Sequence, residues 1–140
     1  MSLFKRRSDP SPSIRAETVV VYSGDQWLEV RGESNYQDAF KSIAGPKGED
    51  GYNLPVTVAL VREPANPWDT NAVAVKCGEW TVGFLSREAA EMFAPVIDTK
   101  NAAGETVCLE GHIRGGWKRR NGDEGHYGIA LLYNPSDFFG

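Results

Sequence analysis

The sequence has few of the residues that usually build metal centres or disulfide frameworks. Its 140 residues include two cysteines and two histidines. Cys77 and Cys108 form no C-x-x-C pair and each lies in a strand-like run, so we interpret both as buried, reduced thiols. Cys108 and His112 are separated by about 13 Å of a predicted strand, at roughly 3.3 Å per residue, which is too far to share one ion. We therefore expect neither a zinc site nor a disulfide.

Catalytic motifs are missing as well. The sequence contains no G-x-S-x-G elbow and no G-x-x-x-x-G-K phosphate loop. Glu63 and Asp69 could act as a carboxylate pair, but nothing in the sequence indicates a substrate for them. We predict a binding module without enzyme activity or cofactor. A metal-dependent nuclease is the residual enzymatic alternative.

Long hydrophobic runs are also lacking. No apolar stretch approaches the roughly 20 residues that are needed to cross a bilayer. Residues 1–15 are basic and lack the apolar core of a signal peptide. We expect a cytoplasmic protein with a disordered basic arm at 1–15, one domain at 16–136 and a short tail at 137–140.

The net charge of −4 argues against a protein that coats nucleic acid electrostatically. Four basic residues against one acidic residue give the arm at 1–15 a charge of +3, which leaves −7 for the rest of the chain. An acidic body can still bind DNA through a local basic patch. It would then recognise a defined end or structure rather than long duplex.

The apolar periodicity predicts a mainly β fold with two short helices. Seven strands are predicted, at 18–22, 27–31, 56–61, 71–76, 80–85, 106–113 and 126–133. The helices are predicted at 36–43 and at 87–97, the second capped by Ser86 and stopped or kinked at Pro95. Segments 45–53 and 98–104 are predicted loops. Short strands joined by turns favour a small, partly open β-barrel.

One segment stands out between the third and fourth predicted strands. Residues 62–72, REPANPWDTNA, contain two prolines and a tryptophan, so they cannot form an ordinary strand or helix. Asp69 and Asn71 can bond back onto nearby amides and stiffen the turn. The segment is either a well-capped turn or a rigid loop that binds a ligand, and its composition alone leaves both interpretations open.

This segment also carries a family resemblance. REPxNPxDxNAVxV, followed by VGxLxRExA, resembles the HIRAN domain, a module of some chromatin-remodelling helicases and of stand-alone bacterial proteins. The strand Val30–Gly32 with the following Tyr36 resembles the family's first motif. The similarity extends from about Glu29 to Val96. It implies an OB-like barrel that binds single-stranded DNA at its 3′-hydroxyl end, in DNA repair or replication.

The resemblance also implies roles for individual residues. Asn66, Trp68 and Asp69 would line the pocket, with Asp69 accepting a hydrogen bond from the 3′-hydroxyl. Tyr36 would contact a terminal nucleotide, and Arg87 a phosphate. The chain departs from the DNA-binding members at Ser34 and Asn35, which replace a basic residue and an aromatic, and at Phe84, which replaces a polar ring.

Residue chemistry adds further candidates, because single strands are held by aromatic stacking and by cations at phosphates. Trp117 and Tyr127 are additional stacking candidates. Additional phosphate candidates are Arg62, Arg114, Lys118, Arg119 and Arg120. Each has a structural alternative, such as core packing or a solvated hairpin tip. The competing hypothesis for the chain is a protein-interaction adaptor, with a repair or helicase protein as partner, that keeps the fold without the DNA pocket.

Overall fold

The computed structural model describes residues 17–140, so the predicted arm at 1–15 lies outside the described residues. The strands are β1 (Thr18–Tyr22), β2 (Gln26–Arg31), β3 (Tyr52–Arg62), β4 (Val73–Cys77), β5 (Trp80–Leu85), β6 (Glu105–Gly115) and β7 (Tyr127–Tyr133). The helices are α1 (Gln37–Ala44), α2 (Arg87–Ala102) and α3 (Ser136–Phe139), with a 3-10 turn at Glu33–Tyr36 before α1.

Six of the strands form a closed barrel. Their order is β6-β3-β4-β5-β2-β7, and pairing of β7 with β6 closes the ring. All of these pairings are antiparallel. The mainly β, OB-like architecture is confirmed, and the barrel is closed rather than partly open. Closure gives every strand of the ring a strand neighbour on both sides.

Strand β1 lies outside this ring. It pairs in parallel with the first half of β6, in the register Thr18↔Glu105 to Tyr22↔Leu109. Strand β7 pairs with the second half of β6, from Glu110↔Leu132 onward. Strands β1 and β7 therefore lie one after the other along the same side of β6. The chain passes from β1 to β2 through the short turn that joins these two strands.

The barrel interior is filled by aliphatic side chains from every strand of the ring. Leu109, Ile113, Leu131, Val58 and Val75 are among the residues with at most 1% exposure. Phe40 of α1 and Phe93 and Ile97 of α2 are also buried, so each helix inserts its apolar face into this core. The helices therefore fix the position of the strand ends and loops beside them.

Helix α2 is longer than the sequence predicts. Pro95 lies inside it, and the predicted loop at 98–104 is wrong because the helix continues to Ala102. Pro95 is exposed, so water can bond the carbonyl that the missing N–H leaves free. The helix ends where Gly104 adopts a positive φ of 87°.

Two other segments differ from the prediction. Strand β3 begins at Tyr52, inside the predicted loop at 45–53, because Tyr52 pairs with Gly115 of β6. The C-terminal residues, predicted as a tail, form α3 instead. Its Phe138 is buried and contacts the rings of Tyr22 and Phe93 at centroid distances of 5.0 and 5.1 Å. Ring burial therefore holds the end of the chain against the barrel.

Candidate nucleic-acid interface

The loop between β3 and β4 is held by its own side chains. Asn66 Oδ1 accepts hydrogen bonds from the amides of Trp68 (2.9 Å) and Asp69 (3.2 Å). Asp69 Oδ1 accepts one from the amide of Asn71 (2.9 Å). Asn66 Nδ2 donates to Glu63 Oε1 at 3.2 Å. These local bonds compensate for the lack of ladder bonds, so the loop is a rigid turn.

Arg62 clamps this loop to helix α2. Its Nε donates to Asp98 Oδ1 at 2.9 Å, and its Nη1 donates to the carbonyls of Thr70 (3.2 Å) and Ala72 (3.1 Å). The Arg62 side chain is 12% exposed. The guanidinium therefore uses its donors inside the protein. The structure places Arg62 as a brace behind the loop rather than on a surface that phosphate could reach.

Arg87 lies on the other side of the loop, at the start of α2. Ser86 caps this helix by accepting a hydrogen bond from the amide of Ala89 at 3.1 Å. Arg87 Nη2 donates to the carbonyl of Trp68 at 3.0 Å, and the side chain is otherwise exposed. One donor of Arg87 thus positions the loop, while the rest of its guanidinium faces solvent.

Between the loop, β5 and the start of α2 lies a shallow cleft of about 290 Å³, which we call the motif cleft. It is lined by Asn66, Trp68, Asp69, Ala72, Phe84, Leu85 and Arg87. Tyr36 reaches its border, since its ring lies 6.4 Å from that of Phe84. Four residues predicted from the family motif, and Tyr36 beside them, therefore meet on one surface.

Trp68 is the most exposed large hydrophobic side chain of the described residues, at 83%. An indole in this position contributes little to the core, and the loop bonds hold it in place through its backbone. The predicted alternative that Trp68 packs the turn against the barrel is therefore wrong. Its ring is free to stack on a ligand.

The positions where the chain departs from the family pattern lie beside the motif cleft. Ser34 and Asn35 are exposed in the 3-10 turn that precedes α1. Phe84 lines the cleft and contacts Tyr36. Ser34 and Asn35 carry no charge and therefore add no phosphate contact beside the cleft. Among the cleft-lining residues that the structure describes, Arg87 is the one cation.

Tyr127 belongs to the core. Its ring is 3% exposed and stacks on Phe40 at 6.0 Å with an interplanar angle of 6°. Its hydroxyl donates to the carbonyl of Gly45 at 2.5 Å, and burial raises its pKa above the usual 10.0. A base cannot reach either face of this ring, which removes Tyr127 from the stacking candidates.

The hairpin between β6 and β7 does not contribute to the motif cleft. Trp117 packs closely against Gly125, where a Cβ would lie 2.5 Å from the indole. Arg119 lies over the Trp117 ring at 5.2 Å and pairs with Asp123 at 2.7 Å. Lys118 lines a different cleft. Trp117, Lys118 and Arg119 therefore form a separate surface.

That second cleft, of about 450 Å³, was missed by sequence reasoning. It lies between α1, the 46–48 segment and the hairpin, and is lined by Gln37, Asp38, Lys41, Pro46, Lys47, Lys118, Glu124, His126 and Tyr127. The pairing of Lys47 with Glu124 at 3.0 Å crosses it. The i, i+4 spacing of Gln37 and Lys41 was its one sequence signal. Its mixed charges give it no clear ligand class.

The described residues show no candidate metal centre: nowhere in 17–140 do three His, Cys, Asp or Glu side chains come together. Cys108 is buried and Cys77 half-buried, both as free thiols, and burial raises the pKa of each. Across the same residues, no helix is long and apolar enough to span a membrane.

Comparison with known proteins identifies the family. Among curated proteins there is no significant match. The crystal structure of the HIRAN domain of human HLTF is similar at 26% identity, over 78% of this chain and 74% of that one, with a TM-score of 0.44. The family model described as "HIRAN domain" matches residues 36–113, more than half of the chain and the part that contains the whole motif cleft. The chain belongs to the HIRAN domain family.

Proposed function

We propose that the protein is a non-catalytic module that binds single-stranded DNA at a free 3′-hydroxyl end through the motif cleft, and that it acts in DNA repair or replication. The observation that carries this proposal is the placement of an exposed indole, a carboxylate and a guanidinium around one small cleft. These are the groups that stack on a base, accept from a hydroxyl and neutralise a phosphate. Membership of the HIRAN family supports the same function.

Asp69 is the group that would read the end of the strand. Its Oδ1 is used by the amide of Asn71, and its Oδ2 has no hydrogen-bond partner within residues 17–140. A terminal 3′-hydroxyl can donate to this free oxygen. A terminal 3′-phosphate would instead bring two like charges together, so the same carboxylate would reject it.

The cleft supports modest affinity. Arg87 is the one cation in its described lining, and each phosphate contact contributes a slope of about −0.7 to the dependence of log K on log salt for a single strand. We therefore expect a shallow slope of about −0.7, with stacking on Trp68 supplying a large share of the binding energy.

The test compares short labelled single strands ending in a 3′-hydroxyl or a 3′-phosphate by fluorescence anisotropy. The best variant is Asp69→Asn, because asparagine keeps the oxygen that accepts from Asn71 and removes the charge. Loss of a charge-assisted hydrogen bond costs about 1.5–3 kcal/mol, so affinity for the hydroxyl end should fall roughly 10- to 100-fold. Affinity for the phosphate end should not fall, so the preference for the hydroxyl shrinks.

Asp25→Asn is the matched control. Asp25 is exposed in the turn before β2. The other end of β2, at Val30, is the end that pairs with β5 beside the cleft, so Asp25 lies away from the cleft. It should leave both affinities unchanged. Equal and weak binding of both ends by the unmodified protein would reject end recognition. The adaptor hypothesis would then take its place, with a protein partner whose binding tolerates salt.

A further inference from the structure

Strand β1 has an open edge. It pairs with β6 on one side, and no strand within residues 17–140 pairs with its other side. An open strand edge presents backbone N–H and C=O groups in the spacing of a β-ladder, and these groups can pair with another strand. Every strand of the ring has a strand neighbour on each side over at least part of its length, so β1 is the one described strand with no strand partner anywhere along one side.

The register of β1 shows which backbone groups face this edge. The amide of Thr18 donates to the carbonyl of Gly104 at 2.8 Å, and Thr18 pairs with Glu105. In a ladder, alternate residues direct both backbone groups to the same neighbour. Thr18, Val20 and Tyr22 therefore bond towards β6, and the backbone groups of Val19 and Val21 face outward.

The same two residues also expose their side chains. Val19 is 63% exposed and Val21 is 48% exposed. Strand β1 has the sequence TVVVY, so it has none of the charged residues, prolines or bulges that normally keep an edge from pairing. Glu17, the charged residue before β1, accepts a hydrogen bond from Thr106 Oγ1 of β6 at 2.9 Å, so its carboxylate is directed towards β6 and not towards the open edge.

We propose that β1 pairs antiparallel with β1 of a second copy of the chain, around a twofold axis at Val20. In this register Val19 of one copy faces Val21 of the other. Both residues have outward-facing backbone groups, so the two symmetric pairs form four hydrogen bonds. Their exposed side chains meet on one face of the extended sheet, where each valine covers the other.

The edge fits a second copy because it is self-complementary. In a twofold interface, residue i of one copy contacts residue j of the other, and residue j of the first copy contacts residue i of the second. Strand β1 can meet this condition around Val20 without bringing like charges together, because it has no charged residue. Pairing over five residues buries less than the roughly 1,200 Å² of a standard interface. The dimer is therefore weak, and its population rises with protein concentration.

The test measures association of the full chain by sedimentation equilibrium over a range of concentrations. Two double variants carry charges at the exposed positions. In Val19→Lys with Val21→Lys, each lysine faces a lysine across the axis. In Val19→Lys with Val21→Glu, each lysine faces a glutamate of the partner. Because both side chains are largely exposed, both variants should fold, which circular dichroism and thermal unfolding verify.

The proposed register predicts that the lysine–glutamate variant associates at least about fivefold more tightly than the lysine–lysine variant, since opposite charges across a strand pair attract and like charges repel. Parallel pairing, or a register centred on Val21, would place like charges together in both variants and remove this order, and a register centred on Val19 would reverse it, because position 21 would then face Glu17. The proposal fails if the order is reversed or absent. It also fails if the unmodified protein is monomeric up to about 0.5 mM, well above the micromolar range of ordinary complexes. Dimerisation does not depend on DNA binding.

Discussion

Replacement of Arg62 tests how the loop of the motif cleft is held. Arg62→Met keeps the length of the side chain and removes its donors. The bonds to the carbonyls of Thr70 and Ala72 come from a charged group with a 12% exposed side chain, and such bonds contribute about 1.5–3 kcal/mol each at most. The Asp98 side chain is 55% exposed, so the ion pair adds only about 0–1 kcal/mol.

Because one guanidinium nitrogen makes both carbonyl bonds, their contributions overlap, and we expect Arg62→Met to lower the free energy of unfolding by about 2–4 kcal/mol. At roughly 4 °C per kcal/mol for a chain of this size, Tm should fall by roughly 8–16 °C. Asp98→Asn should cost no more than about 1 kcal/mol. Arg62→Lys should be intermediate, because an ammonium cannot reproduce the planar fork.

Urea unfolding followed by circular dichroism measures these differences. Arg31→Met is the matched control, since the Arg31 side chain is 61% exposed and its pairing partner Glu29 is 68% exposed. This control should change stability by less than about 0.5 kcal/mol. The clamp would be refuted if Arg62→Met were no more destabilising than Arg31→Met. An Asp98→Asn effect as large as that of Arg62→Met would place the stabilisation in the ion pair instead of the loop carbonyls.

Three further predictions concern single side chains. Trp68→Ala should weaken DNA binding by about 1–3 kcal/mol in an anisotropy titration and leave Tm unchanged, whereas Trp27→Ala, at a 52% exposed indole outside the cleft lining, should leave affinity unchanged. Phe138→Ala should lower the free energy of unfolding by about 3–5 kcal/mol in urea, because its buried ring joins α3 to the barrel. Burial raises the pKa of Glu33 above 4.5, although its Oε2 accepts a hydrogen bond from the amide of Ile129 at 2.6 Å. Above the raised pKa, the buried charge of Glu33 therefore lowers the stability of the folded protein. This loss of stability vanishes below about pH 4.5, where the carboxyl is protonated in both the folded and the unfolded protein. The urea midpoint of Glu33→Gln should therefore exceed that of the unmodified protein at pH 7 by more than at pH 4, and a gap that is constant with pH would contradict the assignment.

Local sequence patterns were sufficient for most of the secondary structure. Alternating apolar residues located all seven strands, and the Ser86 cap located the start of α2. The 62–72 motif located the motif cleft, because prolines and Asx turns determine the loop shape through bonds between near neighbours. These features depend on residues that lie close together in the sequence, so a single chain contains the information.

The roles of individual site residues depended on contacts between distant segments. Arg62 and Tyr127 have the residue types of a phosphate contact and a stacking ring. Their partners, Asp98 and Phe40, lie 36 and 87 positions away in the chain, and these partners place both side chains inside the protein. Pro95 similarly remains within a helix because the packing of that helix outweighs one lost hydrogen bond.

The sequence by itself therefore determined the family, the strands and the composition of the loop that forms the cleft. Only the tertiary structure decided that the barrel is closed, that Trp68 is exposed while Tyr127 is buried, and that β1 has an open edge. The physical reason is that exposure and edge pairing depend on which distant strands and helices lie beside a residue. Residue type and local spacing do not contain that information.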